Sequence, residues 1–441
     1  MGISRDKLFI FGYFLGVILL GSLLLELPGA WRGQKPLSYI DSLFTSTSAV
    51  CVTGLSTVDT SLYSRFGQTI IAFLIQVGGL GLITFATIYA AMPKKRISLI
   101  NRGIIKDYYI DEVDYDPKRI VKHIVLTTLA IELLGTLLLY MRFRSLEDGL
   151  FVAAFHAISA FCNAGFSTFS NNLEGYVADP LVSLTISGLI VLGGIGFVVM
   201  SDIGECVGGK KKRLSSHSRI AIGMTVALIV AGALLFLILE WNHAMKGLTP
   251  GAKILASIFQ SVTPRTAGFD TIPQNKFSDA SILITMLLMF IGASPASTGG
   301  GIKTTTFFVL IAVTLRGVDE KGRLPVERRS VSSETIIKAV GIVGKAALIL
   351  IISATAVLTF ERGAVISGKF GLVEVLFEVI SALATVGLSQ GITAGLAAGS
   401  KLVLILTMFA GRVGLFAMAL NSGASRIDHY VDLPDTNLIV G

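Results

Sequence analysis

The chain has 441 residues, of which 52% are hydrophobic and 15% are charged, and its formal net charge is +8. Water-soluble globular proteins carry about 25% charged residues, so the composition excludes that class. Apolar stretches of about 20 residues, the length that crosses a bilayer as a helix, recur along the chain and predict a polytopic membrane protein. Basic loops beside a membrane then explain the positive charge, and we expect no nucleic-acid partner.

The predicted elements follow one order four times: a long apolar segment, a short segment and a second long apolar segment. The first long segments are Leu8–Leu27, Ile120–Tyr140, Ile220–Glu240 and Ile336–Phe360. The short segments are Leu37–Val50, Asp148–Phe161, Gly251–Thr263 and Gly371–Ala384. The second long segments are Gly67–Met92, Leu181–Met200, Ile282–Leu315 and Leu402–Leu420. A short segment cannot span a bilayer, so each predicts a pore helix whose following loop returns to the same side of the membrane.

The sequence therefore predicts an all-α polytopic membrane fold. Eight transmembrane helices form four repeats, each an outer helix (M1), a pore helix and an inner helix (M2), around a pseudo-fourfold pore. We assign repeat 1 to residues 1–92, repeat 2 with a basic link before it to 93–203, repeat 3 to 204–315, repeat 4 to 316–424, and a C-terminal tail to 425–441. Lys and Arg are concentrated in the links between repeats and near the ends, which places both termini in the cytoplasm.

One phrase marks the end of every short segment. It reads FTSTSAVCVTGLS, FHAISAFCNAGFS, FQSVTPRTAGFD and FEVISALATVGLS, with glycines at Gly54, Gly165, Gly268 and Gly387. A second glycine follows after 24, 28, 24 and 24 residues, at Gly78, Gly193, Gly292 and Gly411. Two linked signals at a nearly constant offset indicate one structural unit used four times. We expect the first four glycines to surround the pore axis.

These glycines suggest a selectivity filter. Backbone carbonyls replace the water of a dehydrated cation in potassium filters, and glycine adopts the required backbone angles without steric cost. We predict that the carbonyls of the four glycines bind K⁺. The predicted filter is Val52, Thr53, Gly54, Asn163, Ala164, Gly165, Thr266, Ala267, Gly268, Thr385, Val386 and Gly387. The alternative is that the glycines only let helices approach closely, which is the role that we assign to the second glycine of each repeat.

The third inner segment is interrupted by GASPASTGGGIKTTT, residues Gly292–Thr306. Pro and three adjacent Gly do not form a continuous helix, and a broken helix in a membrane should line a cavity. We predict a gate below the filter, held by Arg412, because an ionisable residue at that depth usually marks a functional site. A passive kink is the alternative. The predicted gate residues are Gly292, Ala293, Ser294, Pro295, Ser297, Thr298, Gly299, Gly300, Gly301, Lys303 and Arg412.

We predict structural roles for several other polar residues. Thr45, His156, Gln260 and Glu378 occupy one shared position, after the phenylalanine that opens each phrase, and should bond the pore helix or filter backbone. Glu132 could bond a neighbouring helix. The three cysteines form no CxxC pair, and no catalytic cluster is present, so we expect neither a metal or redox centre nor an enzyme.

The phrases VTGL, NAGFS, TPRTAGF and TVGL, the broken helix and GRVG at Gly411–Gly414 resemble the Trk/Ktr/HKT superfamily of potassium transporters. The chain is most similar to the membrane subunit of bacterial Ktr systems over essentially its full length. The resemblance implies potassium uptake across the plasma membrane, often with Na⁺ dependence. It also implies a homodimer in the lipid bilayer and a cytosolic ring of RCK-type nucleotide-binding regulatory subunits, with no nucleotide on this chain. Related plant proteins with Ser at the first filter glycine favour sodium, so Gly54 fits the potassium type.

The main alternative function is a sodium- or proton-coupled symporter of another small solute. Such a protein would show two halves with paired unwound helices, whereas this chain shows four similar units.

Overall fold

A computed structural model of the chain describes residues 5–91, 117–326 and 329–414. Most of the basic link before repeat 2, and the whole C-terminal tail, lie outside these residues. The helices of the first two repeats are α1 (Arg5–Leu25), α2 (Tyr39–Val50), α3 (Arg65–Ala91), α4 (Pro117–Phe143), α5 (Gly149–Phe161), α6 (Pro180–Ile195) and α7 (Phe197–Val207). Those of the last two are α8 (Ser216–Glu240), α9 (Pro250–Val262), α10 (Asp279–Phe290), α11 (Thr304–Arg316), α12 (Ser333–Phe360), α13 (Arg362–Ile366), α14 (Leu372–Ala384) and α15 (Ala398–Phe409). A π-helical turn, Ala410–Gly414, follows α15.

The four short helices α2, α5, α9 and α14 begin within two residues of the predicted pore helices. Two of them have capping side chains that explain where they start. The Ser38 hydroxyl accepts a hydrogen bond from the Asp41 N–H, and the Thr249 hydroxyl accepts one from the Ala252 N–H. Pro250 follows Thr249 at the first helical position, where its fixed φ suits a helix.

Among the described residues, three helices are long and apolar enough to cross a membrane, at Val121–Phe143, Ser216–Glu240 and Ser333–Phe360. The helices α6 and α7 meet at a bend, and if the two together cross the membrane once they form a fourth span. Large apolar side chains on these helices face outward: Leu137 is 54% exposed, Leu234 54% and Ile351 63%. Exposed apolar side chains along helices of this length fit a hydrocarbon environment, so the protein is a membrane protein.

The second inner segment differs from the prediction, which treated Leu181–Met200 as one segment. The chain bends by 98° between α6 and α7. Gly196 sits at the bend with a φ of +97°, and the next N–H, of Phe197, donates a hydrogen bond to the Ala296 carbonyl at 2.9 Å. The residues at the bend thus contact the interrupted stretch of repeat 3. Sequence periodicity within repeat 2 does not reveal this contact. A small antiparallel hairpin, β1 (Leu324–Val326) and β2 (Arg329–Val331), was also not predicted.

The end of an outer helix fixes the start of an inner helix in three repeats. The Glu240 carboxylate accepts hydrogen bonds from the N–H and hydroxyl of Ser278, the N-cap of α10. The Glu361 carboxylate accepts one from the N–H of Ala397, the N-cap of α15. In repeat 2, Arg142 pairs with Asp179, which caps α6. Each contact joins the two long helices of one repeat on the side where the pore helix begins.

The four predicted pore helices also connect neighbouring predicted repeats. Each packs on the outer helix of its own repeat, in the pairs α1 with α2, α4 with α5, α8 with α9 and α12 with α14. Each also packs on the inner helix of the preceding repeat, in the pairs α15 with α2, α3 with α5, α6 with α9 and α10 with α14. The second set of contacts returns from the last repeat to the first, so the packing closes into a cycle.

Candidate functional site: a glycine ring above an intramembrane loop

The four glycines of the repeated phrase meet in a closed ring. Their φ angles are +94°, +69°, +76° and +98° in chain order, a region that favours glycine. A Cβ at any of them would lie at most 2.7 Å from a carbonyl oxygen of the next repeat. These oxygens belong to Ala164, Ala267, Val386 and, closing the circle, Thr53. The four glycines therefore lie close to one another, and both backbone angle and space require glycine there.

A sharp backbone turn brings each pore helix to the ring. The residues two before the glycines, namely Val52, Asn163, Thr266 and Thr385, have φ between 51° and 72°. Left-handed backbone is uncommon for residues with a Cβ. Side-chain hydroxyls hold two of the turns, since Ser48 accepts from the Gly54 N–H and Ser381 accepts from the Gly387 N–H, both at 3.0 Å. The sequence analysis did not single out these serines, although both lie six residues before a filter glycine.

The carbonyl groups of the ring segments have no partner. None of the twelve predicted filter residues uses its backbone carbonyl to accept a hydrogen bond among the described residues. Most of these residues are buried, and Thr53, Asn163, Ala164, Ala267 and Val386 are fully so. Buried carbonyls are nearly always paired, because an unpaired one costs free energy comparable to a lost hydrogen bond. Unpaired carbonyl oxygens are the ligands that a dehydrated cation needs.

The interrupted stretch between α10 and α11 folds into a loop that is bonded on several sides. Its own ends pair through Gly292 N–H to the Ile302 carbonyl at 2.8 Å. Ser294 N–H donates to the Gly194 carbonyl at 2.9 Å. The Thr298 hydroxyl donates to the Phe161 carbonyl, at the end of pore helix α5, at 3.1 Å. The loop is therefore fixed to repeat 2 as well as to its own helices.

The middle of this loop lies against the base of the ring. A Cβ added at Gly299 would collide with the Thr266 hydroxyl, and one at Gly300 would collide with the Thr385 hydroxyl. Both hydroxyls belong to the first predicted filter residue of a repeat and are buried, and neither has a hydrogen-bond partner among the described residues. Gly299 and Gly300 can thus approach the filter only because they have no side chain.

Two basic side chains hold the loop. The guanidinium of Arg412, presented by the π-helical turn, donates to the Thr298 carbonyl at 2.6 Å and to the Gly78 carbonyl at 2.8 Å. The Lys303 ammonium donates to the Gly299 carbonyl at 2.7 Å. Arg412 therefore contacts the loop. Its second partner is a backbone carbonyl of inner helix α3. The sequence did not predict this contact, because no side chain of α3 marks it.

The second glycine of each repeat is a close-packing position. Gly78, Gly193 and Gly411 each lie against a carbonyl near the end of their own pore helix, those of Val50, Phe161 and Leu383. Repeat 3 departs from this pattern, because Gly292 lies against the carbonyl of Gly300 in the loop. The loop thus takes the place that a pore helix occupies in the other repeats.

The side chains that share a position after the phenylalanine hold the segment that leaves the ring. His156 Nε2 lies 2.9 Å from the Ser167 hydroxyl, and Glu378 accepts from the Ser389 hydroxyl at 2.5 Å. Gln260 bonds Gln274 at 2.9 Å. These contacts join three pore helices to the segments that follow their glycines. Glu132 on α4 contacts a neighbouring helix, because its carboxylate accepts a hydrogen bond from Gln76 on α3 at 3.2 Å.

Comparisons with known proteins show the family of the chain. Residues 17–425 match the family model TrkH, described as cation transport protein. The chain is 39% identical to Ktr system potassium uptake protein B of Bacillus subtilis, with 91% of this chain and 89% of that protein covered. It is 33% identical to potassium/sodium uptake protein NtpJ of Enterococcus hirae, with 100% and 98% covered.

Among solved structures, the potassium transporter TrkH from Vibrio parahaemolyticus has a similar fold. The TM-score is 0.72 at 19% identity, and the match covers 95% of this chain and 84% of that one. With a family model matched over residues 17–425 and relatives similar over nearly their whole length, the chain belongs to the TrkH family of cation transport proteins.

Proposed function

We propose that the chain is the ion-translocating subunit of a potassium uptake system. The observation that carries this proposal is the ring of unpaired buried carbonyls around four glycines. Such oxygens replace the water around a dehydrated cation. Because they are backbone carbonyls and not carboxylates, they suit a monovalent ion better than a divalent metal. Potassium is the ion named for the relatives in Bacillus subtilis and Vibrio alginolyticus.

We propose that the pore is built from eight transmembrane helices in four repeats within the plasma membrane. The cyclic packing of each pore helix on the preceding inner helix supports this arrangement. The positive-inside rule supports a cytoplasmic location for both termini and for the links between repeats. The partial negative charge at the C-terminal ends of the four pore helices then favours cations near the ring.

The loop beneath the ring acts as the gate in this proposal. It fills the space under Thr266 and Thr385, and Arg412 ties it to α3. An ion leaving the ring toward the cytoplasm must displace Gly299 and Gly300. Conduction therefore requires that the loop move, and the arginine bonds oppose that movement.

The partners are proposed from the resemblance. They are a second copy of this chain and a cytosolic ring of RCK-type nucleotide-binding regulatory subunits that controls the loop. Sodium is a second candidate ion, since the Enterococcus hirae relative is named a potassium/sodium uptake protein.

Growth of a potassium-uptake-deficient bacterium at low potassium tests the proposed function. We expect the wild-type chain, co-expressed with a cytosolic regulatory subunit, to restore growth and rubidium uptake. Gly54→Ser and Gly268→Ser should each abolish the rescue, because the added side chain meets a carbonyl of the next repeat. Gly188→Ala is the control, since nothing lies within 4 Å of that position. Growth rescue by both serine variants would contradict a role of these glycines in ion selection.

Asp270 leads to a prediction about pH. It follows the third filter glycine by two residues, where the other repeats have Ser56, Ser167 and Ser389. Burial, and then the nearby Glu174 carboxylate, raise the pKa of Asp270 to about 7. Its negative charge is present above that pH and is lost below it, so cation uptake should decrease as the external pH falls through 7. Asp270→Asn should show low uptake with a flat profile between pH 6 and 8, and an unchanged profile would contradict this role.

A further inference from the structure

The helix α7 turns away from α6 and carries an apolar stripe that the described residues leave exposed. The axes of the two helices differ by 98°. One face of α7 packs on the protein, since Val199 and Asp202 are only 0% and 4% exposed. On another face, Ile203 and Val207 are one turn apart and are 37% and 84% exposed. A helix with one apolar face outside the protein core is typical of segments that lie at a membrane surface.

The depth of α7 follows from its contact with α8. Helix α8 has 25 residues, so it is about 37 Å long, which exceeds the hydrocarbon thickness of about 30 Å. Its last residue, Glu240, bonds Ser278 on the side where the pore helices begin, so its N-cap Ser215 lies at the opposite boundary. The Ser215 N–H donates to the Asp202 carboxylate at 2.8 Å. The middle of α7 is therefore at the level of the lipid headgroups.

The chain after α7 folds back along this helix and carries the basic run Lys210–Arg213. The backbone N–H groups of Lys210 and Lys211 donate to the Glu205 carbonyl at 2.9 and 3.1 Å. The Lys211 ammonium pairs with the carboxylates of Asp202 and Glu205 at 3.2 and 2.9 Å. Lys211 thus fixes the basic run to α7 and occupies both acidic side chains of that helix.

The other three cations of the basic run remain available for an anion. Lys210, Lys212 and Arg213 are exposed, and none of them forms an ion pair among the described residues. Long basic side chains at a membrane boundary extend their charged ends to the headgroups. An anionic phospholipid matches both features, because its phosphate complements the cations and its acyl chains cover the apolar stripe. A soluble acidic partner would match only the charges.

We propose that α7 and the basic run form a binding site for an anionic phospholipid. The headgroup phosphate binds Lys210, Lys212 and Arg213, and the acyl chains pack on Ile203 and Val207. The site rests on the topology of the proposed function, which places it in the cytoplasmic leaflet, and it does not depend on which ion is transported.

This site is connected to the intramembrane loop through the start of α7. The Phe197 N–H, in the first turn of α7, donates to the Ala296 carbonyl of the loop at 2.9 Å. At the bend, a Cβ added to Gly196 would lie 2.4 Å from the Pro295 carbonyl oxygen, so the two segments are in direct contact. A ligand shifts a conformational equilibrium toward the state that it binds better. A lipid that binds α7 in this position therefore also stabilises the position of the loop described here.

Native mass spectrometry of the full chain with added lipids tests the site. Two variants each lose three exposed charges, the first from the basic run and the control from the opposite side of the membrane. The first carries Lys210→Gln, Lys212→Gln and Arg213→Gln, and the control carries Lys246→Gln, Lys276→Gln and Arg362→Gln.

We expect the wild type to bind phosphatidylglycerol more tightly than phosphatidylcholine. The first variant should raise the Kd of the most tightly bound phosphatidylglycerol roughly 100-fold, at about fivefold for each basic residue. The control should keep the wild-type Kd. An equal Kd in the wild type and the first variant, or equal affinity of the wild type for the two lipids, would overturn the proposal. Such a result would count against this site alone, because the measurement involves no ion uptake.

A spin label at position 207 distinguishes a lipid from a water-soluble partner. Val207→Cys is combined with Cys206→Ser, because Cys206 is partly exposed and would also react. In vesicles that contain phosphatidylglycerol, the label should be relaxed more by oxygen, which dissolves in lipid, than by a water-soluble nickel chelate. A label at Leu234, which is exposed along α8, gives the reference value for lipid. Greater relaxation by nickel at position 207 would show that the stripe faces water or a soluble partner and would overturn the proposal.

Discussion

Gly387→Ala is expected to reduce selective potassium uptake by at least about 100-fold while the protein still inserts in the membrane. The φ of +98° alone costs a residue with a Cβ about 1–2 kcal/mol, which corresponds to roughly tenfold in a rate or affinity. The added Cβ also collides with the Thr53 carbonyl, so this oxygen must move away from the ring. Rubidium uptake in the presence of competing sodium measures both rate and selectivity.

Gly391→Ala is the matched control for backbone strain. Gly391 has a similar φ of +86°, lies in the same repeat, and has nothing within 4 Å of an added Cβ. It should lose some stability but keep its selectivity for potassium over sodium. Equal selectivity in the two variants would contradict the assignment of Gly387 to the filter.

Arg412→Gln is expected to increase basal cation flux several-fold in proteoliposomes without a regulatory subunit. The wild-type guanidinium bridges the Thr298 carbonyl of the loop and the Gly78 carbonyl of α3, at 2.6 and 2.8 Å. A glutamine cannot reach both carbonyls and removes a positive charge beneath the filter. Each charged hydrogen bond contributes about 1.5–3 kcal/mol, so the closed position of the loop loses stability.

Arg412→Lys separates the two effects of the arginine. Lysine keeps the charge but lacks the planar fork that can bond two carbonyls at once. If the bridge holds the loop, the lysine and glutamine variants should both leak. If only the charge opposes cations, the lysine variant should remain closed. A basal flux equal to that of the wild type in both variants, with normal protein amounts, would contradict the proposed gate.

The repeated phrase singled out the four glycines because its signal comes from backbone requirements. Positive φ and a carbonyl of the next repeat leave only glycine possible at Gly54 or Gly268, and such requirements reappear in every repeat. The pore helices were predicted within two residues at their starts because apolar segments of about three turns are too short to span.

The features that the sequence did not predict depend on contacts between distant parts of the chain. The bend at Gly196 exists because Phe197 bonds Ala296, a residue from another repeat. The sequence predicted that Arg412 holds the loop. It did not predict the second acceptor, the Gly78 carbonyl, because every residue has a carbonyl.

Gly292 lies against the Gly300 carbonyl, whereas the second glycine of each other repeat lies against a pore-helix carbonyl. This difference affects how steeply the open probability of the proposed pore should rise with the activating input. A channel assembled from four identical subunits carries four equivalent obstructions, and its open probability then varies as a high power of the activating input. In the proposed pore the filter has four similar parts, but a single segment of one repeat would block it. If this loop is the gate, opening is one conformational event per pore, governed by one equilibrium constant. Such a pore should follow its regulator in a graded way, with a Hill coefficient near one unless cooperativity arises in the regulator itself.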